Sequence, residues 1–63
     1  MMFDIWGDHD GRITARLVEK EFVSDDDAPY GYYMHLWRTE AKHAGEASRM
    51  YRKTVSEPIK ERK

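Results

Sequence analysis

The chain has 63 residues, no cysteine and a net charge of −1, which limits it to one domain and excludes a disulfide framework or a thiolate metal site. Eight acids and three bases lie in residues 1–36, and eight bases and four acids in residues 37–63, so the halves carry −5 and +4; the asymmetry allows an acidic and a basic patch on one molecule. No apolar run reaches bilayer length, and "MMFDIWGD" lacks the basic and long apolar regions of a signal peptide, so the expectation is a soluble, cytoplasmic chain with no membrane contact.

"MFDIW" and "RITARLV" both alternate apolar and polar residues, the period of a half-buried strand. Between them stands "GDHDGR". With His9, Asp10 and Gly11 as a three-residue loop, Gly11 takes the left-handed position that ends a type I turn. Asp8 then meets Arg12, Trp6 meets Thr14, Ile5 meets Ala15, Asp4 meets Arg16 and Phe3 meets Leu17. Phe3, Ile5, Ile13, Ala15 and Leu17 fall on one face, with two opposite-charge pairs on the other. A slip of one residue would set Phe3 against Arg16, so the pattern selects this turn.

"GDHDGR" also has the look of a metal loop. Aligning Gly11 with the glycine of an EF-hand loop puts Asp8 and Asp10 at ligand positions. Trp6 and Leu17 then fall where the first and the bidentate ligands belong, so the match fails. No metal and no cofactor is expected.

The second strand is expected to run through "EKEFV", over about residues 12–23. "SDDDAPYG" breaks the pattern with acids, a proline and a glycine, and reads as a surface loop. Its Asp25, Asp26 and Asp27 serve solubility or meet a basic partner. "YYMHLW" is aromatic-rich and predicts a third strand over about 30–38. The preferred register pairs it with strand two, with Val18 opposite Leu36 and Leu17 opposite Trp37. That register sets His35 opposite Glu19, a cross-strand pair without a nucleophile or pocket, so no enzyme is expected.

Over 39–56 the residues Trp37, Ala41, Ala44, Ser48, Tyr51 and Val55 follow one helical stripe and Lys42, Glu46, Arg49 and Lys53 the opposite one. The spacing predicts a helix over about 40–56, with Thr39 as its N-cap. The competing arrangement is a second hairpin, because "KHAGE" repeats the shape of "DHDGR". The predicted architecture is therefore α+β, a small three-stranded antiparallel sheet at about 2–8, 12–23 and 30–38 with a C-terminal helix on one face. The alternative is an all-β four-stranded meander, paired into a dimer. Residues 1–57 form the domain and 58–63 a charged tail.

One helix covers one face of such a sheet. The other face is expected to carry Met2, Trp6, Val18, Phe22, Tyr32, Met34 and Leu36, an apolar surface unusual for a monomer. The competing arrangement is a bulge near Glu19–Glu21 that turns Phe22 inward. Trp6, Val18, Phe22, Tyr32, Met34 and Leu36 are the expected partner-binding residues of a small non-enzymatic regulator or inhibitor that occupies a partner protein's surface or homodimerises. The alternative is nucleic-acid binding through Arg38, Lys42, Arg49, Arg52 and Lys53, against which the overall acidity counts.

Overall fold

The computed structural model describes residues 1–56; the tail expected at 58–63 lies outside them. Three strands, β1 (Met2–Gly7), β2 (Ile13–Leu17) and β3 (Met34–Glu40), precede one helix, α1 (Ala44–Ser56), and a 3-10 turn at Asp25–Asp27 interrupts the crossover between β2 and β3. The sheet is antiparallel. The architecture is the expected small α+β fold, and the segment that could have formed a fourth strand is helical.

The first hairpin has the register the sequence predicts, from Phe3 opposite Leu17 to Gly7 opposite Ile13. Gly11 holds φ at 89°, where a side chain would be strained. The Asp8 N–H donates to the Arg12 carbonyl at 3.0 Å. Asp8 Oδ1 accepts the backbone N–H groups of Asp10 and Arg12, and Oδ2 accepts Arg12 Nε at 2.9 Å. Desolvation works to raise the Asp8 carboxyl, but these hydrogen bonds outweigh it and hold it below the ordinary aspartate value. The carboxylate that looked like a metal ligand is spent on closing the turn.

The second strand ends at Leu17 rather than near Val23. The Val18 N–H still reaches the Met2 carbonyl at 3.0 Å, but there β1 begins, and a longer β2 would have no partner. β3 pairs with β1 and not with β2, so the sheet order is β2-β1-β3. The expected pairs Val18–Leu36 and Leu17–Trp37 are thus replaced by Phe3–Thr39, Asp4–Arg38 and Ile5–Trp37. β1 is the central strand and is buried from Phe3 to Gly7.

A bulge interrupts the β1–β3 ladder beside Ile5 and Trp6, where Leu36 is the additional residue of β3. In a regular strand, residues three apart face opposite sides. Here Leu36 and Trp37 both pack on the core of Phe3, Ile5, Ala41 and Ala47, while His35 and Arg38 both reach Asp4 on the other face. A Cβ on Gly7 would lie 2.6 Å from Leu36 Cδ1, so a side chain there would force Leu36 to move.

The helix starts later than the pattern suggests. Thr39 lies within β3, and His43 does the capping. Its carbonyl accepts Glu46 and Ala47 N–H, and its Nδ1 accepts the Glu46 N–H at 3.2 Å. Glu46 Oε1 in turn accepts the Lys42 N–H at 2.6 Å, a reciprocal arrangement of capping-box kind. The later start rotates the buried stripe to Ala47, Met50 and Tyr51, and leaves Ala44 and Val55 exposed. Tyr51 meets Trp37 with ring centroids 5.9 Å apart. No helix of the described residues is long and apolar enough to cross a membrane.

Candidate interaction surface

The second face of the sheet is not an open apolar sheet surface. Residues 18–33 must travel from one edge of the sheet to the other, because β2 and β3 flank β1. They cross over Asp4 and Trp6, and Asp4 anchors them. Its side chain is 3% exposed. Oδ1 accepts Arg38 Nε at 2.7 Å and lies 2.7 Å from His35 Nε2, and Oδ2 accepts Arg38 Nη2 at 3.0 Å. Burial works to raise the Asp4 carboxyl; the hydrogen bonds from Arg38 and His35 prevail and hold it below the usual aspartate value. As an ionised group Asp4 can only accept, so His35 donates its Nε2–H to Asp4 Oδ1.

Arg38 extends the anchor outward. Nη1 donates to the Glu21 carbonyl at 2.6 Å and Nη2 to the Lys20 carbonyl at 2.9 Å. The His35 backbone N–H donates to Asp25 Oδ1 at 2.9 Å. Ser24 caps the 3-10 turn in a capping box with Asp27, and Lys20 Nζ lies 2.7 Å from Asp27 Oδ1. The Asp25–Asp27 run is exposed, yet two of its carboxylates are used within the chain: Asp25 ties the turn to β3 and Asp27 closes it. Asp4 and Arg16 stand opposite each other as expected, but the Asp4 carboxylate is bonded to Arg38 and His35 instead, and His35 turns to Asp4 rather than to Glu19. Arg16 instead lines an open cleft of about 440 Å³ with Trp6, Leu17, Val23 and Pro29.

The six expected partner-binding residues are separated. Trp6 is 4% exposed and sits edge-on to His35, ring centroids 4.9 Å apart; it belongs to the interior under the crossover. Leu36 packs against the core on the helix side, turned there by the bulge. Val18, Tyr32 and Met34 are half-buried. Phe22 alone among them is exposed, at 81%, so the arrangement that turns it inward is not adopted. The sequence places Tyr30 at the start of the third strand, but β3 begins at Met34 and Tyr30 is fully exposed on a turn closed by the Tyr32 N–H to the Pro29 carbonyl at 2.9 Å. The signal for it was present in "PYGY", a turn sequence whose second residue projects at the tip. Tyr33 stacks on His9, ring centroids 4.6 Å apart.

The basic set is separated too. Arg38 is committed to Asp4 on the crossover side, while Arg49, Arg52 and Lys53 stand exposed on α1 over the opposite face and Lys42 precedes the helix. The structure gathers no continuous basic groove from these five residues. The chain matches no protein family, no curated protein and no solved structure.

Proposed function

We propose that the chain is a small non-enzymatic protein-binding module that acts by occupying the surface of a partner protein or of a second copy. Phe22 carries the reading. The residue is 81% exposed, yet the preceding carbonyls of Lys20 and Glu21 are held by Arg38 and the following Ser24 caps a closed turn. An aromatic presented on a fixed backbone loses little conformational freedom on binding, and such residues dominate interface energetics. Tyr30 offers a second anchor on the same crossover.

The test compares wild type with Phe22→Ala and Tyr30→Ala. The full chain is immobilised, and proteins retained from an extract of the source cell are quantified beside a thermal melt of each variant. Phe22→Ala is expected to weaken retention about tenfold or more, the scale of an interface anchor, with an unchanged melt. Unchanged retention, or a variant that unfolds, would remove the basis of the reading.

A further inference from the structure

The chain treats the two edges of its sheet differently. The β3 edge is blunted: it carries the Leu36 bulge, the Asp25 carboxylate takes the His35 backbone N–H, the 3-10 turn packs against it, and Arg38 draws the backbone of Lys20 and Glu21 to its flank. These are the devices by which proteins protect edge strands. The β2 edge has no bulge and, among the described residues, no side-chain tie to its backbone, although α1 packs against this strand and Arg16 stands on it. Its register with β1 is unbroken, and "ITARL" contains no proline, no lysine and no inward-pointing charge. In the β1–β2 ladder the Asp8 N–H donates to Arg12 and the Val18 N–H to Met2. Alternation then turns the N–H and C=O groups of Thr14 and Arg16 to β1, and those of Ile13, Ala15 and Leu17 outward. Ile13 and Ala15 pack on the core through their side chains, whereas Leu17 stays 53% exposed.

We infer that β2 pairs with β2 of a second copy, antiparallel about a two-fold axis at Ala15, joining two three-stranded sheets into one; this rests on the protein-binding reading and names the partner. The edge is complementary to itself. With Ala15 opposite Ala15, Ile13 falls opposite Leu17 of the other copy, so every outward backbone group of β2 gains a partner and Leu17 gains an apolar neighbour. Arg16 falls opposite Thr14 and Arg12 opposite Val18, so no like charges meet directly across the join. The smallest side chain of the strand sits on the two-fold axis, opposite its own copy. A three-stranded sheet with so few buried large side chains gains most from such an extension.

Sedimentation equilibrium of the full chain over a concentration series tests the pairing. The mass should rise from 7.5 kDa to twice that value. Leu17→Lys should raise the dissociation constant at least tenfold while leaving the circular dichroism spectrum intact, because the side chain is already half in solvent. Glu40→Lys, on the blunted edge, should leave the dimer unchanged. The chain has no cysteine, so Ala15→Cys should give a disulfide-linked dimer on mild oxidation, the opposed Cα atoms of such a pair lying within disulfide reach. A chain that stays monomeric at the highest concentration overturns the pairing, as does a dimer indifferent to Leu17→Lys or an Ala15→Cys that does not cross-link. If the chain is monomeric but Phe22→Ala still abolishes retention of other proteins, the edge pairing alone has failed. If both fail, the protein-binding reading fails with it.

Discussion

On one face of β1 stand Phe3 and Ile5; on the other stand Asp4 and Trp6, and the two sides hold their coverings by different means. The helix lies on Phe3 and Ile5 through apolar contact with Ala47, Met50 and Tyr51, an attraction that is non-directional and proportional to area. The crossover lies on Asp4 through directed bonds from one carboxylate to Arg38 and from Arg38 to two backbone carbonyls. The first covering tolerates sliding and depends on volume. The second depends on a few polar atoms and leaves the outer side chains of the crossover, Phe22 and Tyr30 among them, free for contact. A chain this short meets the cost of ordering with one face and presents side chains from the other.

The largest effect is expected from breaking the helix side. Ile5 is fully buried, so Ile5→Ala should cost about 2–5 kcal/mol, read as a lowered urea midpoint. The loss should appear equally in probes of α1 and of the sheet, because the core is common to both. Gly7→Ala should come next, at about 1–3 kcal/mol for overpacking. Its new methyl meets Leu36 Cδ1 at 2.6 Å, and trimming the neighbour with Leu36→Val should recover part of the loss in the double variant. Absence of any recovery would mean that the bulge does not set the packing beside Gly7.

The two faces were also unequally legible in the sequence. The hairpin could be read residue by residue, because its turn chemistry and its period of two lie within a short stretch. The third strand could be recognised but not placed: the connection over residues 18–33 is too long to carry register. Two local signals pointed the right way. The hairpin register sets Met2 opposite Val18, so β1 could not have supported β2 as far as Val23. Trp6, apolar on the face away from Phe3, suits a central strand better than an edge. The competition of Arg16 and Arg38 for Asp4 could not be settled, because each is an opposite charge in a plausible register. The bulge, which sends Leu36 inward and brings His35 and Arg38 to one side, has no marker in "MHLWRT" itself. The helix start was misread because Thr39 has the favoured capping side chain, whereas the cap is His43.

The smallest global effect, and the sharpest test of the contrast, is expected from Asp4→Asn. The amide keeps the shape of the side chain but withdraws the charge that Arg38 and His35 share. Hydrogen-exchange protection should fall over the crossover, around Lys20 to Asp27, while α1 retains its own. Acid gives the same result in wild type by titration. The Asp4 carboxyl lies below the ordinary aspartate value in the folded chain, so its contribution is fully present above about pH 4 and is lost as the pH falls through the folded value. Asp8, Asp27 and Glu46 are depressed as well, but they titrate in both proteins. The difference between wild type and Asp4→Asn therefore isolates Asp4: a crossover that opens with acid in wild type, and one already loosened at neutral pH in the variant. If Asp4→Asn instead loosens α1 as much as the crossover, the two faces are one cooperative unit, and Phe22 is not carried on a separately anchored element.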